Sequence, residues 1–456
     1  MSFIIEDATV PPPPNLPLAP GDYDSRYQEQ FNNVLRLYFN RLTALLGQIV
    51  TTPSPIPVSI GGTNVDAFGR VRVSQPYTLF DSQNRYAADN QFDVATTGTG
   101  TTTFLSSEAA VKMEVTGAGV GSVTRQSYRV MPYQPGKGLL VLATFVMDSS
   151  QSLNLTQRVG YYNDSNGVFF QRVDGTYAFV LRSSVTGAPS DARTVTQANW
   201  NGDKLDGTGD SGLTLDPSKA QILWMDFEWL GVGSVRCGFI INGQYIVCHT
   251  FNNANDITNV YMTTAILPVR YEISTSSALA ASMKAICCSV VSEGGFEQTS
   301  IDHVARRTTA FTNIDTAAFY PIVSIRLASG RTGSVVLPNR TQFLPLTSQN
   351  YEVALIKNAT LTGATWAATV PSDSNVDYDV AATAMTGGTI VQTDYVTSTG
   401  SGGTINTSST VSYNWDLQLG ATVAGVSDTL TLAVRTVSGA TKGDGVGSIS
   451  FYDLTQ

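Results

Sequence analysis

The segment "GVFFQRVDGTYAFVLRS", residues 167–183, contains two runs rich in aromatic and β-branched residues, separated by Asp174-Gly175. A two-residue Asp-Gly connection is typical of the primed turns that join antiparallel strands. The segment therefore predicts a hairpin in which Phe169 lies opposite Val180, and it points to a mainly β protein.

A second hairpin is indicated by "VRCGFIINGQYIVCHTF", residues 235–251, where Asn242-Gly243 is a turn of the same kind. Counting outward from that turn places Cys237 opposite Cys248 at a hydrogen-bonded position. The Cα atoms would then lie about 5.5 Å apart, so that a disulfide is reachable but strained. We predict two reduced thiols.

Period-two alternation continues on both sides of these hairpins, as in "QILWMDFEWLGVG", residues 221–233, where every second residue is large and apolar. The succession of strands, loops and hairpins over residues 76–311 resembles a lectin-like jelly-roll β-sandwich. We place a boundary near 312–319 and a smaller carboxy-terminal β-sandwich over 319–456.

The carboxy-terminal part alternates most regularly along residues 411–419, where Val411, Tyr413, Trp415, Leu417 and Leu419 are predicted to share one face of a strand. A further strand is predicted over 428–437. Gly-, Ser- and Thr-rich connectors separate these segments, as in a sandwich with long loops.

The amino-terminal residues 1–50 have a different character. Six prolines over residues 11–20 predict an extended polyproline arm. Ser25 and Gln28 have capping-box spacing, and they begin a predicted α-helix over 25–46. A Pro- and Gly-bearing linker over 51–75 separates this helix from the β-structure.

The helix carries an apolar stripe that must be covered by something. It either packs on its own domain, or it packs on copies of itself or on a host surface while the proline arm threads into a partner. We favour the second interpretation. The candidate assembly residues are Tyr27, Phe31, Val34, Leu35, Tyr38, Leu42 and Leu45.

Composition and charge exclude several functions. Only 14% of the residues are charged and the formal net charge is −9, so nucleic acid is not an expected partner. The amino terminus lacks the positive charges of a signal peptide, and the longest apolar run, over 138–147, is too short to cross a membrane.

Motifs for catalysis or metal binding are incomplete, so we expect no enzyme, metal or cofactor. "GDSG" at 209–212 resembles the nucleophile loop of trypsin-like proteases, but Leu213 follows it and both histidines lie downstream. The loop with Asp203, Asp206 and Asp210 does not fit an EF-hand. His249 is interpreted as a strand residue rather than a ligand.

Four segments carry a resemblance to a known family: "YQEQFNNVLRLYFNRL" (27–42), "DAFGRVRVSQPYTLFDSQNRY" (66–86), "DFEWLGVGSVRCGF" (226–239) and "ILPVRYEI" (266–273). They resemble stretches of virion structural proteins of tailed phages of cyanobacteria and other aquatic bacteria. The resemblance covers roughly the first 310 residues and implies a fibre-like or decorating component of the particle. It implies no active-site residue.

The sequence thus leads to three functional hypotheses. The first is a non-enzymatic virion protein, a homotrimer made without a signal peptide, whose amino-terminal segment binds capsid, neck or tail proteins. The second is an adhesin that binds host surface glycan through aromatics near loop tips, with Trp200 and Trp366 as candidates. The third, a polysaccharide-degrading spike, has the least support because no carboxylate pair is evident.

Overall fold

The computed structural model describes residues 25–51, 75–148, 153–369, 374–397, 407–410, 415–438 and 441–455, with backbone alone over 43–51 and 407–410 and at residue 416. The chain divides into two units, residues 1–73 and 74–456, which are described separately. The predicted proline arm and most of the predicted linker lie outside the described residues.

The first unit contains helix α1, Ser25–Thr51, which confirms the predicted helix and extends it by about one turn. None of its described side chains, over residues 25–42, is buried. Leu37 and Phe39 are 60% and 56% exposed, and they widen the apolar surface beyond the predicted stripe. The Leu45 side chain lies outside the described part. The described residues contain no helix that combines the length and the hydropathy of a membrane span.

The second unit begins with a β-sandwich built from fifteen strands of the described residues. They are β1 (Tyr77–Gln83), β2 (Phe92–Gly98), β3 (Gly100–Leu105), β4 (Ala110–Val115), β5 (Gly121–Ser127), β6 (Leu139–Val146), β7 (Leu155–Tyr162), β8 (Gly167–Val173), β9 (Thr176–Ser183), β10 (Ser190–Thr196), β11 (Gln221–Phe227), β12 (Val235–Ile241), β13 (Gln244–Phe251), β14 (Val269–Thr275) and β15 (Ala281–Ser292).

These strands form two antiparallel sheets that face each other. One has the order β13-β12-β11-β6-β15-β4-β3, with β1 also paired to β15, and the other has the order β10-β9-β8-β7-β14-β5-β2. Alternate residues of both sheets form one core, to which β11 contributes Leu223, Met225 and Phe227. The predicted mainly β, jelly-roll-like sandwich is confirmed.

The hairpin at Asp174-Gly175 has the predicted register, with Phe169 opposite Val180. Both turn residues have positive φ, 51° and 82°, as a primed turn requires.

The predicted pairing of Cys237 with Cys248 is wrong. Cys237 lies opposite His249, because Cys248 is the extra residue of a bulge in β13. The carbonyls of Val247 and Cys248 accept hydrogen bonds from a neighbouring loop, at 3.0 and 2.9 Å. Both cysteines are free and buried in the core, and burial raises the pKa of Cys248 to about 12.

The second sandwich begins earlier in the chain than the predicted boundary near 312–319. Its described strands are β16 (Asp302–Arg306), β17 (Phe311–Ile314), β18 (Tyr320–Leu327), β19 (Val336–Pro345), β20 (Asn350–Lys357), β21 (Thr360–Thr362), β22 (Ala367–Ala368), β23 (Val376–Asp379), β24 (Ala384–Thr386), β25 (Thr389–Thr397), β26 (Thr407–Thr410), β27 (Thr429–Thr436) and β28 (Gly443–Asp453). Because β16 and β17 both pair with β28, they belong to this sandwich.

Its two main sheets have the orders β16-β28-β19-β26, with β17 also on β28, and β22-β23-β18-β27-β20-β25. Strand β27 confirms the prediction over 428–437. Residues 411–414 lie outside the described part, and Trp415–Leu417 forms a short 3-10 helix instead of the predicted strand. Trp415 packs against the first core, whereas Leu417 and Leu419 pack in or against the second.

The two sandwiches contact each other directly within the second unit. The Gln418 side chain donates a hydrogen bond to the Val130 carbonyl at 2.8 Å, and the Ala421 backbone N–H donates to the Tyr128 carbonyl at 2.9 Å. A Cβ at Gly420 would lie 2.6 Å from that Tyr128 oxygen, so the close approach requires glycine. These contacts join the segment at residues 418–421 to the segment at residues 128–130 of the first sandwich.

Candidate binding cleft

A cleft of about 660 Å³ lies where one end of the first sandwich meets the end of β28. It is formed by the connections β5–β6, β11–β12, β13–β14 and β15–β16, together with Leu454 and Thr455. Its volume lies in the range of pockets that bind small molecules, and pockets form preferentially at such domain junctions. We call it the aromatic cleft, after Tyr133, Trp229 and Phe296 in its wall.

Tyr133 and Trp229 are held edge to face, with ring centroids 5.9 Å apart. The Trp229 indole N–H donates to the Met262 carbonyl at 3.2 Å, and the Leu230 N–H donates to the Tyr133 hydroxyl oxygen at 3.1 Å. Both rings are half-buried. Since each polar ring atom is already engaged with backbone, the two rings keep a fixed orientation in the wall.

Phe296 forms part of the same wall and depends on both sandwiches. Its ring lies 6.0 Å from that of Tyr77 and 5.0 Å from that of Trp415. The Trp415 indole N–H also donates to the Tyr77 hydroxyl at 2.8 Å. Trp415 belongs to the carboxy-terminal part of the chain, so this side of the cleft forms only when the sandwiches are docked.

Polar groups surround the aromatic wall. The Gln134 carboxamide accepts a hydrogen bond from the Glu297 N–H at 2.9 Å and donates to its carbonyl, which joins two connections. The Lys137 ammonium donates to the same Gln134 oxygen at 2.9 Å. Thr263 and Thr264 add hydroxyls to the lining. Fixed apolar rings with a few convergent hydrogen-bonding groups are the usual make-up of a ligand pocket.

The Tyr133 phenol is neutral at ordinary pH, since partial burial raises its pKa. The only formal charges in the lining of the described cleft are those of Lys137 and Glu297, whose nearest charged atoms are 4.0 Å apart. The aromatic cleft therefore suits an uncharged ligand better than a strongly charged one.

The residues of the GDSG motif and of the neighbouring aspartate loop, which the sequence analysis weighed as catalytic or calcium-binding residues, stabilise turns in a loop. Asp203 accepts backbone N–H groups of Leu205 and Ser211, at 2.8 and 2.7 Å. Ser211 thus belongs to a turn closed by Asp203, and Gly212 completes that turn with φ of +64°. Among the described residues, no group of three or more His, Cys, Asp or Glu side chains is placed to hold a metal ion.

His249 is a buried strand residue whose Nδ1 accepts the Asn201 N–H at 3.3 Å. Burial, and then the positive charge of Arg193, lower its pKa below 6.5. Protonation therefore favours the unfolded state. We expect the contribution of neutral His249 to the free energy of unfolding to be fully present above about pH 6.5. That contribution should decrease as the pH drops below this value.

Urea unfolding followed between neutral and mildly acidic pH tests this expectation. The His249→Gln variant should lose part of the decrease in midpoint that the wild type shows. An identical decrease in both proteins would contradict the assignment. The hydrogen bond with Arg182 lowers the pKa of Asp191 below 3.8. Protonation of such paired aspartates therefore reduces the stability only at more acidic pH.

The two tryptophans that the sequence suggested as glycan contacts do not lie in the cleft. Trp200 is 2% exposed and its ring lies 4.7 Å from that of Phe179, so it belongs to the core and cannot meet a glycan. Trp366 is half-buried in the second sandwich, with the Arg326 guanidinium 4.2 Å above its ring. The prediction for Trp366 stays a prediction.

Sequence reasoning did not identify the aromatic cleft. Its rings occur in "MPYQPGKG" (131–138), "EWLGVG" (228–233) and "EGGFEQ" (293–298), each an aromatic residue among Gly or Pro. That pattern is a usable signal for an aromatic on a connection, but it does not indicate which connections meet.

Comparison with known proteins gives no family for this chain. No protein-family model matches it, and no curated protein matches it. Solved structures similar to it include the carbohydrate recognition domain of Emp47p, with 9% identity, 48% of this chain and 96% of that chain covered, and a TM-score of 0.30.

Two others are the cellulose-induced protein Cip1 and the lectin UEA-II in complex with galactose. Cip1 has 11% identity and a TM-score of 0.30, and UEA-II has 6% identity and a TM-score of 0.31. Each alignment covers 48% of this chain and all of the other. At these TM-scores the similarities carry no argument about function.

Proposed function

We propose that this protein is a non-enzymatic carbohydrate-binding protein and that the aromatic cleft holds the carbohydrate. The observation that carries the proposal is the wall of three half-buried rings, Tyr133, Trp229 and Phe296, beside amide and hydroxyl groups. A sugar ring has one or two faces of C–H bonds and an edge of hydroxyls, so it matches a wall of this composition.

The aromatic and the polar groups of the cleft would contact different parts of a sugar. The aromatic faces remove apolar sugar surface from water, at roughly 25 cal/mol per Å². The remaining Gln134 amide N–H and the threonine hydroxyls replace water around the sugar hydroxyls, which would otherwise lose their hydrogen bonds. Because the rings are already oriented, little conformational entropy is lost when the ligand binds.

A glycan array probed with the full chain tests the proposal. We expect binding to at least one glycan class, and we expect Trp229→Ala to weaken it by about 30-fold, since truncation of a central aromatic contact typically costs about 2 kcal/mol. Phe296→Ala should weaken it as well. Trp366→Ala, in the second sandwich, tests in the same assay the alternative site that the sequence suggested.

Melting temperatures separate lost binding from lost folding. The proposal fails if no glycan binds, or if Trp366→Ala abolishes binding while Trp229→Ala and Phe296→Ala, still folded, leave it intact. That second outcome would indicate that the glycan binds at the surface around Trp366.

We also propose that the protein is a structural component of a tailed-phage virion, in which helix α1 joins copies into a trimer or attaches them to capsid, neck or tail proteins. The observation that favours an assembly role is that no described side chain of α1 is buried, although its stripe is apolar. The four segments that resemble phage virion proteins support the virion setting. The β-sandwiches would then be displayed outward and meet host surface glycan.

A further inference from the structure

A second hollow adjoins the aromatic cleft. It has a volume of about 610 Å³, and Lys137 lines both hollows. The segment Gly136–Gly138 of the β5–β6 connection forms part of its wall. We call it the polar groove. Because one lysine borders both, the two hollows follow each other along the same connection.

The chemistry of the polar groove differs from that of the aromatic cleft. Asp226 of β11 and Arg236 of β12 are cross-strand partners, and the Arg236 Nε donates to Asp226 at 2.9 Å. Ser234 and Thr250 supply hydroxyls. The one aromatic residue in the described lining, Phe227, is buried in the core, so the groove offers hydrogen bonds and no exposed ring.

The charges of the polar groove are unbalanced. Asp226, Glu228 and Glu293 face Lys137 and Arg236, which leaves one excess negative charge. Burial, followed by the nearby charge of Asp226, raises the pKa of Glu293, as expected for a carboxyl among like charges. An anionic ligand would add to this repulsion, whereas a neutral chain of hydroxyls can accept and donate along the groove.

We propose that the ligand is a neutral oligosaccharide or polysaccharide bound along its length, with one segment in the aromatic cleft and the next in the polar groove. The proposal rests on the proposed carbohydrate-binding function and names the class of ligand. The aromatic cleft takes the C–H face of one part of the chain, and Arg236, Glu228 and neighbouring hydroxyls bond the hydroxyls of the following part. A single terminal sugar would leave the polar groove empty.

Calorimetric titration of the full chain with oligosaccharides of two lengths tests the proposal. The probes are dimers and hexamers of neutral glucans, mannans and xylans, together with a hexamer of galacturonic acid as the anionic case. We expect the wild type to bind one neutral hexamer about tenfold or more tighter than its dimer, and to bind the anionic hexamer weakly.

Variants test whether the tighter binding of the hexamer comes from the polar groove. Glu228→Gln combined with Arg236→Gln should leave dimer affinity within about twofold and remove most of the hexamer's advantage. Tyr133→Ala should weaken both lengths. Glu108→Gln, which alters an exposed ion pair with Lys284 outside both hollows, is the matched control and should bind as the wild type does.

The outcomes separate the two proposals. Equal affinity for dimer and hexamer, or a full hexamer advantage in the double variant, overturns the extended-chain proposal and leaves carbohydrate binding standing. Tight binding of the anionic hexamer overturns the neutral class. Absence of binding to every probe and every array glycan overturns both.

Discussion

Phe31→Asp in helix α1 is expected to convert an oligomer of the full chain into monomers. Phe31 is the second residue of the apolar stripe, one helical turn from Tyr27 and one from Leu35, and its side chain is only half-buried. In a helix-to-helix contact, loss of a buried Phe costs about 3–5 kcal/mol from packing alone. Each subunit would also have to bury a carboxylate, so the association constant should fall by at least about 100-fold.

Light scattering coupled to size exclusion measures the mass directly. Asn40→Asp adds the same charge at an exposed position on the other side of α1, and it should keep the mass of the wild type. A trimer is the expected wild-type state. A monomeric wild type, or an unchanged mass for Phe31→Asp, would contradict assembly through this helix.

Glu272→Ala should destabilise the first sandwich by about 3 kcal/mol, the scale seen when one partner of a buried ion pair is removed. The Glu272 side chain is 14% exposed and forms two ion pairs. Its Oε1 lies 3.1 Å from Arg158 Nη1, and its Oε2 lies 3.5 Å from Arg270 Nη2. The Tyr162 hydroxyl also donates to it, at 3.4 Å. The variant leaves two guanidinium groups with fewer partners on a largely buried face of β7 and β14.

Tyr162 and Phe169 make this face sensitive to the loss. Their rings lie 4.4 Å apart and are fully buried on the outer side of the sheet, apart from the main core. The Arg270 guanidinium lies 5.4 Å above the Tyr162 ring. Since the arginines both cover the rings and neutralise Glu272, removing the carboxylate affects packing as well as charge.

Urea unfolding at neutral pH gives the comparison. Glu114→Ala breaks an exposed pair with Lys112 in the same sandwich, where Glu114 is 37% exposed, and it should cost less than about 1 kcal/mol. Glu272→Gln, which keeps a hydrogen-bonding group, should fall between the two. Equal midpoints for Glu272→Ala and Glu114→Ala would contradict the role assigned to the network.

Local sequence patterns predicted the parts of the fold that depend on neighbouring residues. The turn at Asp174-Gly175 sets the hairpin register because two residues with positive φ leave one way to pair the strands. The helix begins at Ser25, the predicted position. Alternation along β11 identified the core residues Leu223 and Met225.

The same reasoning failed where distant segments decide the outcome. The bulge that displaces Cys248 from Cys237 coincides with hydrogen bonds from the loop at residues 202–203, far from the turn at Asn242-Gly243. Trp200 looked like a loop aromatic but is covered by the core. Trp415 left the predicted strand and packs against the first sandwich, which no local pattern encodes.

The sequence by itself determined that this protein is mainly β with an amino-terminal amphipathic helix, because turn chemistry and side-chain periodicity act over a few residues. Only the tertiary structure decided that Tyr133, Trp229 and Phe296 form one cleft, and that Asp226, Arg236 and Glu293 lie beside it. These residues come from strands β11 and β12 and from three connections spread over more than half of the first sandwich, and their proximity follows from strand order and from the docking of the two sandwiches.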